Sequence, residues 1–169
     1  MSLIEHFLME SPLSSLTLVN TDGVLSGLYM PDHLRGPKTE SLGERKTSGF
    51  DAVRSQLHEY FQQRRTEFEL PIAPRGTAFQ QSVWSLLKSI PYRETRSYGQ
   101  LSDLLGNRLA IRAVGLANGR NPLSIIIPCH RVVGRNGSLT GYAGGLERKR
   151  FLLDLEASDA TSQRQLSLS

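Results

Sequence analysis

The 169-residue sequence has almost no sulfhydryl chemistry: its one cysteine is Cys129. A single cysteine excludes an internal disulfide, and with it the framework that holds small secreted domains together. Histidine is scarce as well. His6, His33, His58 and His130 show no paired ligand spacing with one another or with the thiol, so no metal site is expected. No stretch approaches the roughly 20 apolar residues needed to cross a bilayer. The leading segment MSLIEHFLMESPLSS carries Glu5 and Glu10 in its apolar part and lacks a basic start, which makes it a poor signal peptide. A cytoplasmic protein without membrane association is the expectation. Hydrophobic residues make up 38% and charged residues 21%, a composition that excludes a disordered chain.

The charge is unevenly placed. Residues 1–76 hold 8 Lys and Arg against 10 Asp and Glu, whereas residues 77–156 hold 11 against 5. The second half is therefore the one that would attract a polyanion.

The first half reads as α/β. IEHFLME and SLTLVNTDGVLSGLYM give alternating strands, with Ser11-Pro12 and the Asn20–Gly23 segment as turns and Leu16, Leu18, Val24 and Leu28 inward. Residues 32–47 are polar and read as a loop. SGFDAVRSQLHEYFQQRR spaces Phe50, Val53, Leu57 and Tyr60/Phe61 as a helix with Ser48 as N-cap. Two prolines in EFELPIAPRG mark a boundary near residue 74.

The second half reads as mostly helical. TAFQQSVWSLLKSIP opens on a Thr77–Gln80 capping box, with Phe79, Val83, Trp84 and Leu87 as its apolar stripe. SYGQLSDLLG, closed by Gly106, and NRLAIRAVGLANG, ended by Gly119, look like a helix-turn-helix. VVGRNGSLTGYAGG reads as a wing turning at Asn136-Gly137. A last helix, LERKRFLLDLEA, is expected to turn Leu146, Phe151, Leu152 and Leu155 inward. The fold class is thus α+β. An N-terminal α/β domain with an antiparallel sheet spans 1–74, a mainly helical winged helix-turn-helix domain 75–157, and a flexible tail 158–169.

The chemistry gathers in IIIPCHRVVG, where Cys129 is followed directly by His130. A thiol reacts as thiolate, so its ordinary pKa of about 8.5 must fall or a base must sit beside it. His130 supplies the base, and a carboxylate is needed to orient the imidazole. Asp154 and Glu156 are the downstream candidates. Glu156 lies at i, i+4 from Leu152 on the inward face, whereas Asp154 looks outward, so Glu156 is preferred. A lone Cys-His pair is more often a buried structural cysteine beside a histidine.

The surroundings change that balance. NPLSIIIPCHRVVG, with PYRETRSYGQL before it and TGYAGGLERKRFLL after it, resembles the O6-alkylguanine-DNA alkyltransferases from about Arg75 to Glu156, with a weaker match in the first half. The resemblance implies that Cys129 takes the alkyl group of O6-alkylguanine, and also of O4-alkylthymine, in one irreversible transfer. His130 would act as base through a water, and Glu156 would hold its tautomer. Asn121 would brace the cysteine turn, and Tyr98 would help rotate the nucleotide and polarise the purine. Arg112 would fill the gap in the base stack. Val132, Tyr142, Ala143, Gly144 and Lys149 would line the pocket, with Ala143 where some members carry serine or glycine. Arg96, Ser97, Ala113, Ala117, Asn118, Arg120, Arg131 and Arg135 would face DNA. The physical logic agrees: an O6 substituent lies inside the duplex, and no thiol reaches it in line unless the base is flipped out. Some members carry an N-terminal zinc site, but here that half has no cysteine.

The implied partner is double-stranded DNA carrying O6-alkylguanine, bound by a protein monomeric in solution and able to cluster on DNA. No metal or organic cofactor is called for. The competing readings are a DNA- or lesion-binding module without transfer, which would not need the thiol, and a Cys-His hydrolase, in which a basic helix-turn-helix would have no role.

Overall fold

The computed structural model describes residues 1–158; the tail expected at 158–169 falls, from residue 159 on, outside the described residues. Strands β1 (Ile4–Ser11), β2 (Ser14–Thr21) and β3 (Val24–Tyr29) form an antiparallel meander. The β2–β3 turn places Asp22 and Gly23 at φ 51° and 81°, the two left-handed positions of a tight hairpin.

A bulge after Val19 shifts the β2–β3 register, so Leu25 rather than the expected Val24 faces the core beside Leu16, Leu18 and Leu28. The sheet is not purely antiparallel. The polar stretch read as a loop contains a short strand, β4 (Glu44–Lys46), which adds parallel to β1 and gives the order β3-β2-β1-β4. Gly43 makes this approach possible: at φ +70° a Cβ there would lie 1.8 Å from the Ile4 carbonyl oxygen.

Helix α1 (Asp51–Phe61) buries Val53, Leu57 and Tyr60 against the sheet. Its N-cap is Phe50, in the left-handed region and without a side-chain bond, not Ser48 as expected.

The second half begins with α2 (Ala78–Lys88), where Thr77 and Gln80 form the expected reciprocal capping box. Val83, Trp84 and Leu87 are buried, but Phe79, expected in that stripe, is exposed. The two-residue strand β5 (Arg96–Ser97) leads into α3 (Tyr98–Leu104), which opens on a second capping box, between Ser97 and Gln100. A turn of 3-10 helix then feeds α4 (Ile111–Gly119). Strand β6 (Val132–Val133) pairs parallel with β5. The wing turn follows, with Asn136 and Gly137 both at positive φ.

Helix α5 (Leu146–Ala157) departs most from expectation. Leu146 and Phe151 are exposed, and its fully inward residues are Lys149, Leu152 and Glu156. An apolar pattern cannot find a helix face that buries two charges.

The two halves share one core: Leu16, Leu28 and Leu57 of the first belong to the same buried cluster as Trp84, Val114 and Ile127 of the second. The outer edge of β3 receives both the linker and the segment leading to the cysteine. Leu25 accepts from Ala73 N–H at 2.8 Å, and Leu28 N–H donates to the Pro122 carbonyl at 2.8 Å. Within the helical half, Trp84 is 2% exposed and its indole N–H donates to the Ala117 carbonyl at 2.8 Å, joining α2 to α4. Trp84→Ala should lower stability by about 3–5 kcal/mol. Chemical denaturation at neutral pH would measure it, and a loss near zero would contradict the shared core.

Candidate active site

The segment 121–131 is a compact run of turns held by its own hydrogen bonds. The Asn121 side chain is buried. Its Nδ2 donates to the Ile127 carbonyl at 2.7 Å, and its Oδ1 accepts from Leu123 N–H at 3.0 Å. Ile127 N–H donates to Leu123 O, and Cys129 N–H to Ile127 O, both at 2.8 Å. Ile125 is driven to φ 74°, a costly conformation for a β-branched residue, held only because the surrounding bonds over-determine it. All three isoleucines of the run are buried. Cys129 emerges at the start of a single 3-10 turn, Cys129–Arg131, and is 4% exposed.

His130 Nε2 lies 2.6 Å from Glu156 Oε2. An ionised carboxylate only accepts, so Nε2 carries the proton and Nδ1 of the neutral ring is a bare acceptor. Nδ1 is buried and bonds to no group among the described residues. Burial works against Glu156, but the hydrogen bonds and charges of His130 and Arg131 outweigh it and hold the carboxyl at about 2. Burial pushes the His130 imidazole below its ordinary value, with Glu156 opposing.

Burial likewise raises the Cys129 thiol, opposed by hydrogen bonding from Asn121, Ser124 and Tyr142 and by the charge of Lys149. The resting sulfur is therefore a thiol, and the neighbouring imidazole does not by itself ionise it. Lys149 Nζ donates to the Thr140 carbonyl at 3.1 Å, and burial brings its pKa down to about 8 against the pull of Cys129. The Tyr142 phenol, beside Cys129 and Ser124, is held well above its ordinary value by burial first and by Cys129 second.

Tyr98 begins α3, with its ring beside α4 at Gly115, and its hydroxyl oxygen accepts from Thr140 Oγ1 at 3.1 Å. Val132 is fully buried in β6. Ala143 O accepts from Leu34 N–H at 2.8 Å, which pins the segment after the wing to the first half. Gly144 lies over Met30; a Cβ there would be 2.4 Å from the Met30 sulfur. Arg148 completes the junction by donating to the carbonyls of Leu13, Pro31 and Gly144 at 3.2, 3.0 and 3.0 Å.

The residues expected to face DNA divide. Arg112, Ala113, Arg120 and Arg135 are exposed. Arg96 is half-buried and paired with Glu94 at 3.1 Å, and the Ser97 hydroxyl caps α3 as an acceptor, which leaves its own proton to donate. Ala117 and Asn118 are buried on the inner side of α4, away from its exposed face. Arg131 is a clear correction. Its guanidinium is buried and turned inward, donating to both oxygens of Glu156 at 2.8 and 3.0 Å and to the Ile90 carbonyl at 2.7 Å, so it is not presented to a phosphate.

Sequence reasoning missed Arg131 as a partner of Glu156, Ser124 beside the thiol, Thr140 between Tyr98 and Lys149, and Tyr60. Tyr60 Oη, from α1, donates to Glu156 Oε2 at 2.6 Å. Only Arg131 left a trace, since an arginine next to the His-Cys pair in an apolar run needs a carboxylate.

The carboxyl of Glu156 sits far below its unfolded value near 4.5, so it stabilises the fold above that value and the contribution drains away as pH falls toward about 2. Acid titration of the wild type should show a loss of roughly 3 kcal/mol across this window. Glu156→Gln should start less stable at neutral pH and lose little over the same range; parallel curves would refute the assignment.

Two family profiles match the chain: 6-O-methylguanine DNA methyltransferase, ribonuclease-like domain, over residues 4–74, and 6-O-methylguanine DNA methyltransferase, DNA binding domain, over 78–158. The chain is 46% identical over 164 residues to a methylated-DNA–protein-cysteine methyltransferase of Mycobacterium tuberculosis, covering 97% of this chain and 99% of that protein. It is 46% identical over 156 residues to one from Methanosarcina acetivorans, covering 90% and 98%. Among solved structures, Mycobacterium tuberculosis OGT in complex with DNA superposes with a TM-score of 0.87 at 47% identity, covering 91% of this chain and 93% of that one.

Proposed function

The chain belongs to the 6-O-methylguanine DNA methyltransferase family, and from that membership we propose how its site works. The protein is a methylated-DNA–protein-cysteine methyltransferase that repairs DNA by alkyl transfer. Its substrate is O6-alkylguanine, and also O4-alkylthymine, in duplex DNA. It acts as a monomer that can cluster on DNA, in the cytoplasm. Residues 1–74 and 75–157 serve as two units: the first supports, the second binds DNA and accepts the alkyl group.

One observation carries the assignment of roles: the 2.6 Å bond from His130 to Glu156 leaves a bare accepting nitrogen on the residue next to the thiol. Nδ1 takes the Cys129 proton through a bridging water, and Glu156 stabilises the imidazolium that forms. Sγ then attacks the alkyl carbon in line. The carbon–O6 bond breaks, and its electron pair leaves with the purine. Tyr98 polarises that purine: its oxygen already accepts from Thr140, so its proton is free to be donated. Lys149, beside the sulfur, favours the thiolate electrostatically. Asn121 holds the turn; Val132, Tyr142, Ala143 and Gly144 frame the base.

Arg112, exposed on α4 beside Ala113, fills the stack behind the flipped nucleotide, while Arg96, Arg120 and Arg135 meet phosphates and position without reading sequence. Carbon–sulfur bond formation has no return path, so one molecule repairs one lesion. The step needs only an electrophilic carbon and a leaving oxygen, and no cofactor takes part.

Mass spectrometry after mixing with duplex DNA carrying O6-methylguanine should find one added methyl on the peptide holding Cys129. DNA bound without that adduct would favour a lesion binder that does not transfer. Arg112→Ala should slow repair of duplex about tenfold or more, the scale of a flipping cost of a few kcal/mol, and spare reaction with free O6-alkylguanine base. Equal losses on both substrates would refute the stacking role.

A further inference from the structure

We propose that Tyr60, contributed by the N-terminal half, is a positioning residue of the transfer site: its hydroxyl sets how strongly Glu156 draws on His130. The inference rests on the roles given to His130 and Glu156 above and adds a third member to their relay.

Glu156 Oε2 accepts from three donors, His130 Nε2 at 2.6 Å, Tyr60 Oη at 2.6 Å and Arg131 Nη2 at 3.0 Å. Oε1 accepts from Arg131 Nε at 2.8 Å and Arg93 N–H at 3.4 Å. A carboxylate oxygen has about two lone-pair directions, so His130 and Tyr60 compete for the same electron density. Each donor lowers the proton affinity of the carboxylate and the charge left to the others.

The remaining charged and titratable groups near the relay come from every element around it. Arg131 lies on the 3-10 turn, Lys149 on α5, Tyr142 after the wing, and the Tyr92 ring is 5.7 Å from the Arg131 guanidinium. The Tyr60 phenol donates directly to Glu156.

Packing does not explain the hydroxyl. The Tyr60 ring sits in an aromatic cluster with Phe61, Phe68 and Tyr92, at centroid distances of 5.5, 5.4 and 6.3 Å. Phenylalanine would fill that space equally well. A hydroxyl taken fully out of water costs stability unless it is bonded, and its partner here is the relay carboxylate.

Removing the hydroxyl hands more of the negative charge to His130 and stabilises its protonated ring. In Tyr60→Phe, the acid limb of the pH–rate profile for methyl transfer from duplex DNA should therefore move upward by about half to one pH unit. Phe68→Leu, which loosens the same cluster without touching Glu156, should lower the melting temperature and leave that limb in place. Site-specific 3-fluorotyrosine at position 60 keeps the shape, donates more strongly and should move the limb downward; it decides the matter if Tyr60→Phe does not fold. The His130 imidazole followed by NMR should shift in the same directions. That titration needs no alkyl transfer, so a wild type that fails to methylate Cys129 would count against the function and not against Tyr60. Profiles of Tyr60→Phe and the fluorotyrosine protein superimposable on wild type, or a Phe68→Leu limb that moves equally, would overturn the proposal.

Discussion

Glu156 is a full negative charge with 1% exposure, and a charge so placed must be met by donors or it destabilises the fold by several kcal/mol. The donors come from three places: His130 and Arg131 on the cysteine turn, Tyr60 on α1, and the backbone at Arg93. None can be withdrawn without leaving the carboxylate or its own polar group short of a partner. The pitch of α5, the approach of α1 and the conformation of the cysteine turn are therefore solutions to one constraint. The N-terminal half, which holds none of the reacting atoms, is tied to the chemistry through that carboxylate.

The cysteine loop is held from both sides by backbone contacts that carry no sequence pattern of their own. On one side, the outer edge of β3 would be a liability if left open, because its unpaired N–H and C=O groups invite another strand. Pairing with Ile72 and with Pro122–Leu123 uses it up and delivers Asn121 to the position from which it closes the turn. On the other side, Leu34 and Arg148 fasten the backbone of Ala143 and Gly144 to the first half. With these clamps in place, Ile125 can be kept at a positive φ that no isolated peptide would hold.

Local rules and long-range rules were not equally legible in the sequence. The Thr77–Gln80 box could be read because its donors and acceptors lie within four residues of each other. The choice of Glu156 over Asp154 followed from helical periodicity, and the structure buries the first and exposes the second. The inner face of α5 was misread because periodicity counts apolar residues, and here Lys149 and Glu156 take inward positions while Leu146 and Phe151 lie outside. Strand β4 was hidden for the opposite reason: Glu44–Lys46 is wholly polar and owes its extension to pairing with β1, not to any preference of its own. Arg131 reads as a DNA-facing residue because a sequence shows charge and not burial. Tyr60 was placed on the correct face of α1, but its partner is 96 residues away, and no spacing rule reaches that far.

The burial of Cys129 looks at first like a handicap for a nucleophile, since desolvation disfavours the thiolate on which reaction depends. It makes sense for a protein whose sulfur is used once. A low-pKa exposed thiolate would be oxidised or alkylated by any small electrophile, and every such event would cost a whole molecule. Here the sulfur rests as a thiol under cover, with Asn121, Ser124, Lys149 and the Tyr142 phenol already arranged around it. These groups need little reorganisation when an electrophilic carbon arrives in line, and the dry surroundings that suppress ionisation at rest strengthen each electrostatic contact during transfer. Burial thus withholds reactivity from ordinary electrophiles and concentrates it on a carbon carried in by a flipped base.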